Sequence, residues 1–191
     1  MHQRRPTAPR VPPIEKVAVK AREAMAGGPV NAINVLATLA TNRTMSKAFG
    51  DFAQTLLFRG SVDARLREIV ILRMGWNCQA VYEFGQHTLF GRSVGMTEVE
   101  IYLVTRPVSQ GAWTDVERAL LQMTDDLYAD DCVSDATWAE LETHFDHSAI
   151  LEFMFAALGY RVVSGVLNSC GVQLDGGVPG WPTDPGAEGA S

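Results

Sequence analysis

The sequence predicts an all-α fold in a single domain, and three observations predict it. Period-two alternation is scarce, almost every apolar segment repeats at helical spacing, and Gly, Pro, Asn or Ser–Asp punctuation separates one segment from the next. A chain of 191 residues, 47% of them apolar, can bury roughly 70% of its unfolded surface around one core.

The elements follow in order. Residues 1–13 hold four prolines and no apolar run, which predicts a flexible basic arm and no signal-peptide core. A short helix near 14–26 ends at Gly27-Gly28-Pro29. A second, near 30–40, places Val30, Ile33, Leu36, Ala37 and Ala40 on one buried face. Asn42 or Thr44 caps a third, which runs to Phe58 before Gly60. Ser61-Val62-Asp63 opens a fourth, carrying Ile69, Val70, Leu72 and Met74. A turn near Gly75-Trp76-Asn77 then leads into a helix from about Cys78 to Ser93. Gly95 stops that helix, and Met96-Thr97-Glu98-Val99-Glu100 starts the next. Thr114 with Glu117 makes a capping box, and Ser134 caps the run 135–145. Residues 150–172 read as a long helix, apolar on nearly all sides. The helical domain thus spans 14–173. The tail 174–191 is rich in Gly and Pro without periodicity, so it is disordered or draped over the surface.

Charge and cysteine content exclude several functions. Sixteen Lys and Arg against 22 Asp and Glu give a net charge of −6, which argues against nucleic acid as a partner. Residues 1–27 carry +4 and the remainder −10. Between Asp115 and Glu152 eleven acids meet one base, Arg118; they read as solvated helix faces opposite Leu120, Leu121, Leu127 and Leu141. Three widely spaced cysteines, Cys78, Cys132 and Cys170, exclude a disulfide framework and a four-cysteine zinc site. They point to a reducing, cytoplasmic compartment. The 150–172 helix is long enough to cross a bilayer, but Glu152 and Arg161 fall inside it. A buried helix at the core or a subunit interface, and no membrane partner, is expected. No Gly-rich phosphate loop occurs, so no nucleotide cofactor is expected.

The informative stretch runs from Arg65 to His87. On a helix, Glu83 and His87 are i, i+4 and share a face, with Gln79 one turn earlier and Tyr82 adjacent. A carboxylate beside an imidazole fixes its tautomer and raises its pKa, which suits proton transfer. By spacing alone such a pair is common on helix surfaces and usually inert.

More than the pair is present. The string Leu66-Arg67-Glu68-Ile69-Val70-Ile71-Leu72-Arg73, then Cys78, Tyr82-Glu83-Phe84-Gly85-Gln86-His87 and Gly95-Met96-Thr97-Glu98-Val99-Glu100-Ile101, resembles the carboxymuconolactone decarboxylase family. The likeness continues through Trp113–Leu121, Asp125-Asp126-Leu127 and Tyr160-Arg161 to Val172, covering about residues 30–173. The resemblance implies an alkyl hydroperoxidase D-like helical bundle that assembles into dimers, trimers or hexamers. It also implies cofactor-free lyase or isomerase chemistry of aromatic-compound catabolism, on a small organic acid or lactone. His87 would be the proton donor and Glu83 its orienting or relaying partner. Glu68 would join from the preceding helix, and Tyr82 would hydrogen-bond a substrate oxygen. Arg73 is a candidate carboxylate anchor or an ion pair; Phe84 and Cys78 complete the substrate-contacting set, Cys78 as a small buried hydrophobe.

The thiol-dependent hydroperoxidase branch of that superfamily has a redox cysteine pair on the site helix. Aligned from Glu68, its two cysteine positions hold Ala80 and Glu83, the intervening histidine is Tyr82, and the last is His87. Both redox cysteines are missing, which argues against thiol chemistry; a thiol-type antioxidant protein is kept only as an alternative, beside a non-catalytic oligomeric binding protein. The pocket discriminates: an enzyme should present His87 and Glu83 to a concave, mostly apolar cavity. A metal site built from His144, His147, Glu83 and His87 is a further rival, without the Glu-x-x-His pairs of di-iron bundles, and no metal is expected. Trp76, Trp113, Trp138, Phe153 and Phe155 read as core or interface residues. Trp181 reads as an exposed tail anchor for a neighbouring subunit.

Overall fold

Most of the punctuation in the sequence falls at helix boundaries in the computed structural model, which describes residues 4–26 and 32–186. Nine α-helices and no strands occur among the described residues: α1 (Glu15–Met25), α2 (Ile33–Leu39), α3 (Arg43–Gln54), α4 (Ala64–Asn77), α5 (Val81–Ser93), α6 (Glu98–Leu103), α7 (Asp115–Asp130), α8 (Asp135–His144) and α9 (His147–Cys170). A π-helical turn, Thr55–Arg59, continues α3. The expected break at Gly27-Gly28-Pro29, the start of α2 at Val30, residues 1–3 and residues 187–191 lie outside the described residues.

The caps explain the starts. Asn42 accepts from Met45 N, Asp63 from Leu66 N, Ser134 from Thr137 N and Asp146 from Ala149 N. Thr97 with Glu100, and Thr114 with Glu117, close full capping boxes. Two boundaries differ from expectation. Asp146, not a residue near 150, starts the long helix, because its carboxylate satisfies an otherwise orphaned amide. The turn expected at Gly75-Trp76-Asn77 is helical; it falls instead at Gln79, whose φ of 50° is left-handed, and the next helix starts at Val81.

α4 is the central element. Ile69, Val70, Ile71, Leu72 and Met74 are all fully buried, because α5, α7 and α9 cover it on different sides. One core cluster joins Val70, Ile71 and Met74 to Leu120, Met123 and Leu127 of α7 and to Ile150, Phe153, Ala157 and Tyr160 of α9. A second joins Ile69 and Leu72 to Phe84, Met96, Ile101 and Trp113. α9 has the length and hydropathy to span a membrane, yet its two charges are held by neighbours. Glu152 accepts from Ser61 and Val62, and Arg161 donates to Leu127 O and Asp131. Leu151, Phe155, Val162 and Val166 of α9 remain exposed.

The chain ends wrap this bundle. Arg10 N and Val11 N donate to Cys170 O at the end of α9, and Arg5 donates to the Cys78 and Gln79 carbonyls. Gly171 (φ +69°) ends α9 in the left-handed region, and a Cβ there would meet the arm at Ala8 O. The tail crosses α5 at Gly85, where a side chain would collide with the Pro179 carbonyl. Trp181 packs on Trp76 and Phe84 of its own chain, with ring centroids 5.1 and 5.2 Å away, and keeps an exposed edge.

Candidate active site

α5 places Glu83 and His87 one turn apart on the face that meets α9, and α4 brings Glu68 to the same point. His87 is 3% exposed and Glu68 is fully buried. Glu68 Oε2 lies 2.6 Å from His87 Nδ1, and Glu83 Oε1 lies 3.1 Å from Nε2. The imidazole is therefore held at both nitrogens by carboxylates. Its ring stacks on Phe90 at 5.2 Å and meets Tyr160 edge-on at 4.6 Å. Behind the site, Arg67 Nε donates to Glu68 Oε1 at 3.4 Å. The result is a row of alternating charge, Arg67–Glu68–His87–Glu83.

Burial by itself would lower the pKa of His87, but the charges and hydrogen bonds of Glu68 and Glu83 outweigh it and push it up to about 9. At neutral pH His87 is an imidazolium that donates from both nitrogens. Tyr160 is pushed well above the usual phenol range, by burial and by the same two carboxylates. It remains a protonated donor.

Glu83, His87 and Tyr160 line a cavity of about 410 Å³. Its other walls are Val35, Leu36 and Leu39 of α2, Phe49 and Ala53 of α3, Leu57 and Phe58 of the π turn, and Phe90 of α5. The volume and apolar lining suit a small-molecule site. A neighbouring groove of about 470 Å³ between α2, α3 and α9 shares Leu39, Phe49 and Val163 with it, but has no acid–base pair in its walls.

The structure brings together Glu68, Glu83 and His87 and separates the other candidates. Tyr82 lines the cavity, but its hydroxyl donates to Asp175 Oδ2 at 2.6 Å and accepts from Val35 N at 3.2 Å, so it holds protein, not substrate. Of the two roles open to Arg73, anchor or ion pair, the structure shows the ion pair. The guanidinium grips Asp125 through two bonds of 2.7 and 2.6 Å and donates to the Val104 and Arg106 carbonyls, each at 2.7 Å. Phe84 points away from the cavity into the second core cluster, against Trp181. Cys78 lies in the α4–α5 link, its Sγ 3.7 Å from Met74 Sδ, and burial pushes its thiol pKa up. A protonated thiol outside the cavity is no nucleophile for this site. Gln79, in the link, leaves the helical stripe it was expected to share. His144 pairs with Glu140 and His147 with Glu142. No group of three metal-binding side chains occurs among the described residues.

Two residues were not singled out by spacing. Tyr160 reaches the site from α9, 73 positions after His87, a separation that no local pattern signals. Asp175 accepts from Tyr82, Gln86 and the Asn34 amide, although it lies in a tail that reads as structureless.

Residues 43–126 match the model of the Carboxymuconolactone decarboxylase family. That segment contains Glu68, Glu83 and His87. No curated protein matches. Among solved structures, an uncharacterized peroxidase-related protein from Silicibacter sp. TM1040 is similar at a TM-score of 0.74 and 14% identity, over 92% of each chain. An alkylhydroperoxidase AhpD core protein from Ralstonia eutropha JMP134, also peroxidase-related and uncharacterized, is similar at 0.73 and 18% identity, over 92% of this chain and 95% of that one. The debrominase Bmp8 is similar at 0.69 and 12% identity, over 87% and 92%. At these identities the likeness is one of fold.

Proposed function

Because this chain is carboxymuconolactone decarboxylase-like over residues 43–126 and AhpD-like in fold, we propose that it is a cofactor-independent acid–base enzyme moving a proton in a small organic acid or lactone. The observation that carries the reading is the Glu68–His87–Glu83 chain, buried at one end and opening on an apolar cavity at the other. Glu68 holds Nδ1–H and fixes the ring. Nε2–H faces Glu83, so a proton can pass between His87 and the carboxylate nearest the substrate. Tyr160 is the donor placed to meet negative charge that develops on a substrate oxygen. In a decarboxylation the same chain returns a proton to the carbon that loses CO2. In an isomerisation it removes and replaces one.

Incubation of candidate lactones and acids with the protein in heavy water, followed by NMR, tests this. Deuterium should enter at the carbon next to the carbonyl. His87→Gln and Glu83→Gln should each slow exchange by roughly two to four orders of magnitude, while Cys78→Ser leaves it unchanged. Full exchange in both His87 and Glu83 variants would sink the reading. Complete loss in Cys78→Ser would revive thiol chemistry.

A further inference from the structure

The walls of the cavity carry a statement about charge that the proton chain alone does not make. Among the described lining residues the ionisable ones are Tyr82, Glu83, His87 and Tyr160, with no Lys or Arg. The residues outside the described set contain no Lys or Arg in their sequence either. Three guanidinium groups of the central bundle and the arm are engaged elsewhere. Arg73 holds Asp125 and two carbonyls, Arg67 holds Glu68 from behind, and Arg5 holds the Cys78 and Gln79 carbonyls. The one positive group on the wall, the His87 imidazolium, already faces two carboxylates.

An entering carboxylate would therefore lose part of its hydration, meet Glu83, and find among the described lining residues no cation but an imidazolium already held between two carboxylates. Burying an unpaired charge in apolar surroundings is strongly unfavourable. A neutral compound with one polar edge avoids that cost: its ring contacts Phe49, Phe90 and the apolar α2 face, and its carbonyl oxygen turns to Tyr160.

We infer that the cavity takes an uncharged, mainly apolar carbonyl compound, an unsaturated lactone in preference to a carboxylate, and that the Glu83 carboxylate excludes the acid. This narrows the substrate of the proton-transfer reading and takes its chemistry from it. The reaction that follows is a double-bond shift. In a β,γ-unsaturated lactone Glu83 takes a proton from the carbon next to the carbonyl, and the C–H electron pair delocalises onto the carbonyl oxygen as a dienolate. The proton then returns to the far carbon of the conjugated system. Atoms and electrons balance with no co-reactant, and no CO2 leaves.

The test compares a phenyl-substituted butenolide with the same butenolide carrying a ring carboxylate. Each is titrated into the full chain near neutral pH by calorimetry, with the His87 imidazole signals followed by NMR. The neutral butenolide should shift the His87 signals and bind about ten-fold or more tightly than the carboxylate, a ratio equivalent to about 1.4 kcal/mol. Glu83→Gln should shrink the ratio by strengthening carboxylate binding. A carboxylate that binds the wild-type chain as tightly as the neutral compound, or binding of neither, overturns the inference. Deuterium exchange into the bound butenolide separates the two readings. Preferential binding without exchange would leave the charge selectivity standing and remove the proton-transfer function. Exchange accompanied by equal affinity would do the reverse.

Discussion

His87 is where sequence spacing becomes electrostatics. A histidine in an unfolded chain titrates near 6.5, and in the fold it is raised to about 9. The protonated ring is thus favoured by the native state. That stabilisation is fully present below about pH 6.5, declines as pH rises through the interval to 9, and is lost above it. Its size is on the order of 3 kcal/mol at most. An NMR titration of the imidazole Cε1 proton should give a midpoint near 9, and the urea midpoint of the wild type should fall across the same interval. Glu68→Gln should move the imidazole midpoint down, since it removes the closest carboxylate. A wild-type midpoint at or below 6.5 would mean that burial wins and that His87 rests as a neutral base.

At the scale of elements, α4 does two unlike things five residues apart. It delivers Glu68 to the inner nitrogen of His87 and Arg73 to the junction with α7, where Asp125 and the carbonyls of Val104 and Arg106 hold it. Arg73→Met strands a carboxylate and two carbonyls in a largely buried place. It should cost about 3–5 kcal/mol, visible as a lower melting temperature, with proton exchange per folded molecule unchanged. Arg73→Lys should not restore stability, because an ammonium lacks the fork that spans Asp125 and the carbonyls. Unchanged melting with weakened carboxylate binding would instead return Arg73 to the role of substrate anchor. The same element shows what the sequence makes legible. Helix starts are local, so Asp63, Thr97, Thr114 and Ser134 could be read directly, and the Glu83–His87 pair follows from helical period. The roles of Arg73 on α4 and Phe84 on α5 depend on which side of each helix faces the cavity. Both helices bury polar and apolar residues alike, so no stripe announces that side. The α5 start was misplaced because Gln79 adopts a left-handed φ that tertiary contacts impose and residue type does not suggest.

The whole molecule divides into a bundle of α4, α5, α7 and α9 and a cover made of α1, α2 and the two chain ends. α1 and α2 form their own small cluster, Ala18, Ala21, Ile33 and Ala37, which buries far less apolar surface than the core around α4. Ala32, at the start of α2, provides no side-chain cap. The first-turn amides are satisfied from a distance: Asn34 N by Asp175 of the tail, at 3.1 Å, and Val35 N by the Tyr82 hydroxyl, at 3.2 Å. Since Tyr82 itself donates to Asp175, a single tail carboxylate joins α2, α5 and the C-terminal segment beside the cavity. A charged acceptor holds these donors more strongly than a neutral one. Asp175→Asn should therefore raise amide hydrogen exchange selectively at Asn34 and Val35, by about ten-fold or more if about 1.4 kcal/mol of local stability is lost. Amides in the middle of α4 and α9 should keep their wild-type rates, because they open only with the core. Equal acceleration everywhere would show that the cover and the bundle unfold as one unit. No change at α2 would show that its cluster with α1, and not the tail, holds it over the cavity.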